Sequence, residues 1–142
     1  MALVADSGAL YALYDRRERA HRAVRDALAA EKGAIVIPMA ILGELDYLLR
    51  VRLGAAAEQR FLEGIERGVF TLAPFTVHDA TSCRNLLERY RDLDLGLADA
   101  SVIVTAERLG LRRILTVDER DFRVVRTSRG EAFVLLPADG KS

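Results

Sequence analysis

At 142 residues, 51% of them hydrophobic and 30% charged, the chain is long enough for one domain with a real core and lacks the composition of a disordered protein. The 21 basic and 21 acidic residues cancel, which excludes nucleic-acid binding driven by net charge alone. The single cysteine, Cys83, excludes an intrachain disulfide and a cysteine-based zinc site.

The amino-terminal sequence resembles neither a signal peptide nor a membrane anchor. Met1 to Asp6 has no basic region, and Asp6 interrupts the apolar run. No apolar run approaches the roughly 18 residues that a membrane span requires. We therefore expect a cytoplasmic protein with no membrane partner.

Predicted strands and helices alternate along the chain. Short apolar runs predict strands at 2–6, 34–37, 69–72, 113–117 and 132–136. Ser7-Gly8 is expected to form a turn, and a helix follows it through Tyr14. Apolar periodicity, glycine stops and capping residues predict further helices at 17–31, 39–52, 55–67, 76–90 and 98–109. At the start of the helix 76–90, Thr76 and Asp79 resemble a capping box with aspartate in place of glutamate. Residues 118–122 are expected to form a turn, and the tail 137–142 is expected to fray.

This alternation predicts an α/β fold. Strands separated by helices favour a mainly parallel sheet covered on both faces, and near-continuous apolar strands agree with burial on both faces. No repeat or linker divides the sequence, so residues 1–142 are expected to form a single domain.

Four acidic residues stand where such a fold would place a site. Asp6 and Asp118 end two of the apolar strands, and ligands of parallel sheets bind at the carboxyl ends of strands. Glu44 and Asp99 lie in apolar helical segments. Acidic side chains are rarely buried unless they are paired or bind a metal, so their placement requires a reason.

Each acid also has an ordinary structural explanation. Asp6 fits a turn or helix cap, and Glu44 fits the solvated side of a helix. Asp99, in a first helical turn, would complement the helix dipole. Asp118 fits a solvated turn. The four acids together therefore indicate a functional site more strongly than any one of them does alone.

Carboxylates converging from several elements suit Mg²⁺ or Mn²⁺, which prefer oxygen ligands. A divalent cation lowers the pKa of a bound water and stabilises charge on a transferring phosphoryl group. Other catalytic patterns are lacking: the histidines, His21 and His78, lie in charged helical segments, and neither a G-x-S-x-G elbow nor a glycine-rich phosphate loop occurs.

The acids lie within four segments that, in this order, resemble the motifs of PIN-domain ribonucleases. The segments are VADSGAL at 4–10, PMAILGEL at 38–45, YRDLDLGLADAS at 90–101 and LTVDERDF at 115–122. Each is weak alone, but the ordered set covers the chain from end to end. Among PIN domains, a chain of this size is most similar to the VapC toxins of toxin–antitoxin systems.

The resemblance implies a PIN-like three-layer α/β/α sandwich with a five-stranded sheet. It also implies an endoribonuclease that uses Mg²⁺ or Mn²⁺ and a metal-activated water to cleave RNA phosphodiester bonds. Metal-binding and catalytic roles carry over to Asp6, Glu44, Asp99 and Asp118, with Asp6 and Asp99 as the leading ligands.

Four further residues beside the acids are auxiliary candidates. Ser7 and Thr116 match small polar positions and are expected to hydrogen bond to a metal water or a carboxylate. Asp94 either tunes the local charge or caps the following helix. Asp121 is expected to fix the turn at 118–122.

The resemblance implies a homodimer and a small protein antitoxin in addition to the RNA substrate. Apolar residues of helices 39–52 and 55–67 exceed a narrow stripe and are candidates to seat a partner helix, although core packing explains most of them: Leu48, Leu49, Val51, Phe61, Leu62 and Ile65. Two arginine clusters, 16–25 and 120–129, are candidates for phosphate contacts or ordinary solvated charge.

Two alternatives remain at this stage. A Mg²⁺-dependent phosphoacceptor or phosphatase domain also gathers acids at strand ends. It would need a late lysine, and Lys141 lies in the tail, or a second aspartate at the position of Gly8. A non-catalytic PIN-like interaction module is the other alternative, and the presence of all four acids disfavours it.

Overall fold

A computed structural model describes residues 2–140 and places a parallel β-sheet at the centre of the fold. Within these residues the sheet has five strands: β1 (Leu3–Ala5), β2 (Ile35–Pro38), β3 (Thr71–Ala73), β4 (Arg113–Leu115) and β5 (Val134–Leu136). Their spatial order is β3-β2-β1-β4-β5, and every neighbouring pair is parallel. The predicted α/β fold with five parallel strands is confirmed.

Burial is complete in the central strands β1 and β2 of the sheet and decreases at the edge strand β3, whose first residue, Thr71, is exposed. All residues of β1 and β2 are buried, as expected for apolar strands covered on both faces. Register pairs Val4 with Val36 on one side and with Ile114 on the other. This position makes β1 the central strand, so a residue that follows β1 lies near the middle of the sheet edge.

Seven helices connect the strands of the described region. They are α1 (Ser7–Tyr14), α2 (His21–Ala30), α3 (Leu42–Leu53), α4 (Ala55–Glu66), α5 (Val77–Arg89), α6 (Leu97–Leu109) and the short α7 (Glu119–Phe122). Helix α1 packs against α2 and α3, and α3 packs against α4. Helix α6 packs against α5 and against strands β1, β2 and β4. The most deeply buried large side chains, such as Phe61, Ile103 and Leu115, come from both helical groups and the sheet.

Several predicted boundaries are wrong for identifiable reasons. The predicted turn at Ser7-Gly8 is the first turn of α1, because Asp6 caps the helix directly after β1. The helix predicted from residue 17 begins at His21, because Asp15 accepts the N–H groups of Arg17 and Glu18 and forms a turn. The predicted turn at 118–122 contains the helical turn α7.

The end of the chain is more ordered than predicted as far as Gly140. Asp139 accepts hydrogen bonds from Arg123 at 2.7 Å and from the Leu135 N–H at 2.8 Å, and Arg123 lowers the pKa of Asp139 to about 2. Residues 137–140 therefore form a turn held to α7, where the sequence predicts a frayed tail. Lys141 and Ser142, the rest of that predicted tail, lie outside the described residues.

Across residues 2–140, the helices are too short or too polar to span a membrane.

Candidate active site

Asp6, Asp99 and Asp118 lie near one another at the carboxyl edge of the sheet, where β1 and β4 lie side by side. Asp6 directly follows β1 and Thr116 directly follows β4. From β1 the chain continues to β2 on one side of it, whereas β4 lies on the other side. The strand order therefore reverses between β1 and β4, which makes this point the topological switch point of the sheet. Parallel α/β sheets bind their ligands at such points.

Asp6 is buried, and both of its carboxylate oxygens accept hydrogen bonds. Its Oδ1 accepts the N–H groups of Gly8 at 2.7 Å and Ala9 at 3.3 Å, which caps the start of α1. Its Oδ2 accepts the Thr116 hydroxyl at 2.6 Å. The capping explanation and the site explanation therefore apply to the same carboxylate, which the two sets of bonds hold in one orientation.

Burial nevertheless raises the pKa of Asp6, against the lowering effect of these hydrogen bonds. The charge of Asp118 raises it further. A buried carboxylate with acidic neighbours is a costly arrangement unless a cation offsets it.

Thr116 links Asp6 to the segment that carries Asp118. Its hydroxyl oxygen accepts the Asp118 N–H at 3.1 Å while the hydroxyl donates to Asp6. Thr116 is itself buried, whereas the Asp118 side chain is exposed at the mouth of the site. The predicted auxiliary role of Thr116 agrees with this geometry, since one side chain fixes two of the acids relative to each other.

Ser7 links Glu44 to the same edge. Ser7, in the first turn of α1, donates its hydroxyl hydrogen bond to the Glu44 carboxylate, and Glu44 lies in the first turn of α3. The sequence separates these residues by 37 positions, so only the packing of α1 against α3 brings them together. Glu44 is exposed and is held at the site through Ser7.

Asp99 completes the group from α6. It is half-buried, and burial together with the charges of Asp6, Asp118 and Asp121 raises the pKa of Asp99 to about 6. Three other acids thus act on Asp99, which places them in one electrostatic neighbourhood.

Asp121 belongs to this neighbourhood, although the sequence predicts for it only a role in the turn. Asp118 directly precedes α7 and Asp121 lies within it three residues later, and both charges act on Asp99. The prediction of a turn at 118–122 did not indicate that Asp121 lies near the other acids. The three-residue spacing of the two acids was the signal that would have revealed it.

Asp94 stands apart from the other candidates. It is exposed in the segment between α5 and α6, and it is not among the charges that raise the pKa of Asp99. The alternative that Asp94 caps the following helix is wrong, because Gly96 precedes α6 and no side chain caps it.

Positive side chains do not neutralise these acids. The salt bridges formed within residues 2–140 leave out all of the clustered acids, namely Asp6, Glu44, Asp99, Asp118 and Asp121. In the described part of the chain, no three acidic, histidine or cysteine side chains are close enough to enclose an ion by themselves. The acids thus form an open, negatively charged cluster rather than a closed cage.

An open cluster of oxygen donors fits a hydrated divalent cation. Mg²⁺ keeps several waters and binds proteins through one or two carboxylates, so it does not need three converging ligands. The residues best placed to hold it are Asp6, whose orientation is fixed, and Asp99, whose charge the neighbouring acids disfavour. Sulfur and imidazole ligands are missing from the cluster, which disfavours zinc.

A family comparison agrees with this geometry. The PIN domain model matches residues 3–127, a range that includes all of the clustered acids. The chain belongs to the PIN-domain family. The resemblance inferred from the four sequence segments is thereby confirmed.

Among curated relatives, this PIN domain is similar to Ribonuclease VapC26 of Mycobacterium tuberculosis. The two are 33% identical over 135 residues, which cover 95% of this chain and 100% of the relative. The expected similarity to VapC ribonucleases is confirmed at this level.

Solved structures share the fold at lower sequence identity. The sarcin–ricin loop cleaving toxin VapC20 of M. tuberculosis superimposes with a TM-score of 0.72 at 18% identity, over 79% of this chain and 86% of that one. A toxin–antitoxin complex from Klebsiella pneumoniae gives 0.67 at 22% identity, over 84% and 89%. VapBC2 from Rickettsia felis, bound to a promoter DNA fragment, gives 0.65 at 17% identity, over 95% and 97%.

Proposed function

We propose that this PIN domain is a divalent-metal-dependent endoribonuclease and the toxin of a toxin–antitoxin pair. The observation that carries the proposal is the buried Asp6 carboxylate, held by Thr116 and the start of α1 beside Asp99 and Asp118, with no salt bridge to any of them among the described residues. The similarity to Ribonuclease VapC26 over nearly the whole chain supports RNA as the substrate.

The side chains of the site have different proposed roles. Asp6 and Asp99 are the proposed direct ligands of the cation, and Glu44 and Asp118 are the proposed outer members that hold its waters. Thr116 orients Asp6, and Ser7 orients Glu44. When bound, Mg²⁺ or Mn²⁺ lowers the pKa of a bound water and stabilises charge on the phosphoryl group.

The acids also explain why the site would be inactive without a cation. Their uncompensated charge repels the phosphate of an RNA strand. A cation held by Asp6 and Asp99 would offset this charge and would lower the pKa of Asp99, which burial and the neighbouring acids raise. The chain supplies no nucleophile of its own in this scheme, because attack by water suffices.

RNA cleavage with and without chelator tests the function. We expect cleavage in Mn²⁺ or Mg²⁺, none in EDTA, and recovery when the metal is restored. Asp6→Asn and Asp99→Asn should each lower the cleavage rate by at least about 100-fold, the scale of losing a metal ligand or its support. Asp92→Asn, an exposed charge change in the loop before α6, is the matched control.

Full activity of either site variant, or activity that survives EDTA, would refute the assignment. A folded chain that cleaves no RNA under any of these conditions would support the non-catalytic alternative.

We also propose a homodimer and a small antitoxin as partners. Most apolar candidates of α3 and α4 lie in or against the core, but Val51 and Leu62 are 62% and 47% exposed, and Tyr47, which the sequence did not single out, is 65% exposed. These side chains supply an apolar surface suited to a protein partner. Light scattering at micromolar concentration tests the dimer, and a monomer would contradict it.

A further inference from the structure

An arginine-lined groove lies at the end of α1 that is remote from the acids. It has a volume of about 1020 Å³ and is formed by the end of α1, the turn after it, α2 and α4. Its basic side chains are Arg16, Arg19, Arg22, Arg25 and Arg60, and its wall also includes Glu18. A chain with zero net charge thus concentrates positive charge on one face.

Most of this charge has no acidic partner. Among the salt bridges within residues 2–140, Arg25 pairs with its neighbour Asp26 at 3.4 Å, and the other four arginines of the groove take part in none. Guanidinium groups without a carboxylate partner keep their paired N–H donors free for phosphate, which they bind in a bidentate manner.

The start of α2 adds to the positive potential of the groove. Its first turn contains no acidic residue, no side chain caps it, and Arg22 lies within that turn. A cation at the positive end of a helix opposes the helix dipole and is unfavourable until an anion binds beside it. Arg22 is therefore poorly explained by the stability of the helix and well explained by an anionic ligand.

The arginines follow one another along the groove. Arg22 and Arg25 are three positions apart on α2, which spaces them by about 4.5 Å along the helix axis, and Arg19 lies in the turn that leads into α2. Arg60 lines the groove from α4. A row of cations suits a ligand with repeating negative charge rather than a single anion.

His21 also lines the groove. Its Nδ1 donates to the Ala12 carbonyl at 2.8 Å, since a carbonyl oxygen only accepts, and this bond ties the start of α2 to α1. The groove is therefore held in place on two helices. An RNA backbone presents a phosphate at every nucleotide, which suits several arginines that bind phosphate in a bidentate manner.

In the second arginine cluster, 120–129, two of the four side chains are already occupied. Arg123 is held by Glu119 at 2.8 Å and by Asp139 at 2.7 Å. Arg126 donates to backbone carbonyls, including that of Arg123 at 2.7 Å. Arg120 and Arg129 take part in no salt bridge within residues 2–140, whereas the groove has four such arginines and therefore holds the larger share of unpaired positive charge.

We propose that the groove binds the phosphate backbone of the RNA substrate at nucleotides that flank the cleaved bond. The inference rests on the proposed ribonuclease function. Helix α1 has eight residues and separates the groove from Asp6 by about 12 Å. The groove therefore holds RNA beside the cleaved bond and not the scissile phosphate itself.

Salt-dependent RNA binding in EDTA tests the groove without requiring cleavage. The double variant Arg19→Gln/Arg22→Gln is compared with Arg67→Gln/Arg91→Gln, which removes the same charge from exposed surface pairs elsewhere. A labelled single-stranded RNA of mixed sequence is the probe. The slope of log affinity against log salt should become less negative by about 1.4 in the groove variant, since each single-strand phosphate contact contributes about 0.7.

The groove variant should also raise KM for RNA cleavage in Mn²⁺ while kcat stays at the wild-type value. The loss of Arg22 relieves the conflict with the helix dipole, so α2 should remain folded, and circular dichroism verifies this. The control variant should match the wild-type protein in slope and KM.

The outcomes separate this proposal from the proposed function. Equal salt slopes for the two double variants, with cleavage intact, would overturn the groove alone. Polyglutamate is a second probe in the same binding assay. If the groove variant loses polyglutamate binding but retains RNA binding, the proposal is overturned and the groove is assigned to an acidic protein partner. If the chain binds RNA through these arginines in a salt-sensitive way but never cleaves it, the nuclease function is refuted. The groove then remains supported as an RNA-binding surface.

Discussion

Asp6 shows how one residue serves the fold and the proposed chemistry together. Its cap of α1 uses Oδ1, and its bond to Thr116 uses Oδ2. A cap orients a carboxylate through backbone N–H groups that cannot rotate away, so the residue that starts the helix also has a fixed direction. The ordinary explanation of Asp6 as a helix cap was correct, and it is compatible with the proposed role of Asp6 in the site.

At the residue scale, we predict that Thr116→Val lowers RNA cleavage and metal affinity by about 10–100-fold, the usual cost of removing a partner that orients a metal ligand. The change removes the hydroxyl donor to Asp6 and preserves the volume of the side chain. Cleavage rates across a Mn²⁺ titration measure both effects.

Thr116→Ser is the matched control, because it keeps the hydroxyl and should retain most of the activity. Wild-type cleavage and metal affinity in Thr116→Val would show that the orientation of Asp6 does not depend on this bond.

Among the helices, α5 has the most complete amino-terminal cap. Thr76 accepts the Asp79 N–H at 3.1 Å, and Asp79 accepts the Thr76 N–H at 2.9 Å, which confirms the capping box predicted with aspartate in place of glutamate. Arg108 of α6 donates to Asp79 at 3.2 Å and ties the two helices together. These contacts lower the pKa of Asp79 from its usual 3.8, the Thr76 backbone bond most strongly.

This lowered pKa predicts a pH-dependent loss of stability in Asp79→Asn. A carboxylate whose pKa is lower in the folded than in the unfolded state stabilises the fold above about pH 4 and loses that effect as pH falls through the folded value. The variant should be less stable at pH 7 by about 1 kcal/mol. The difference should close below the folded pKa, under 3.8.

Urea unfolding at pH 7 and at several acidic pH values measures this difference. Asp92→Asn, at an exposed position, should show no such pH dependence. A stability gap that stays constant with pH would mean that the Asp79 charge is not the source.

A pair of helical glycines provides a second prediction at the element scale. A Cβ at Gly64 in α4 would lie 2.8 Å from the buried Phe70 ring, whereas a Cβ at Gly43 in α3 has nothing within 4 Å. Gly43→Ala should stabilise the protein by about 0.5–1 kcal/mol through helix propensity. Gly64→Ala should destabilise it by about 1 kcal/mol or more, because the ring must shift within the core.

Urea unfolding of the two alanine variants measures both effects. The same gain in stability from both substitutions would contradict the close packing of α4 against Phe70.

For the molecule as a whole, the acids predict a link between metal binding and stability. They come from four separated parts of the chain and meet only in the folded state, so a cation that binds them stabilises that state over the unfolded one. Saturating Mn²⁺ should raise the free energy of unfolding by about 2.7 kcal/mol at 100 times the dissociation constant.

Thermal unfolding in EDTA, Mg²⁺ and Mn²⁺ measures the effect and does not depend on any RNA. Asp99→Asn should abolish most of the metal-induced shift. In EDTA it should be at least as stable as the wild-type protein, because the substitution removes a charge that three neighbouring acids disfavour. A metal-induced shift of equal size in Asp99→Asn would contradict the role of Asp99 as a ligand.

Local interactions account for what the sequence predicted well. The alternation of apolar strands and helices gave the parallel sheet, and the Thr76–Asp79 box and the Gly110 stop located two helix ends. The wrong predictions are helix boundaries, which single side chains set through local hydrogen bonds that apolar periodicity does not indicate. Asp6 capped a helix that begins directly after β1, and Asp15 formed a turn that delays α2.

The sequence by itself determined the fold class and the identity of the candidate acids, because apolar patterns and the order of the motifs can be read from the residues alone. Only the tertiary structure decided which of these residues contact one another. Ser7 meets Glu44 across 37 positions, Thr116 meets Asp6 across 110, and Asp121 joins the acids through a helical turn. The arginine groove likewise requires Arg60 of α4 opposite α2. Strand order and helix packing set these distances, and no local pattern encodes them.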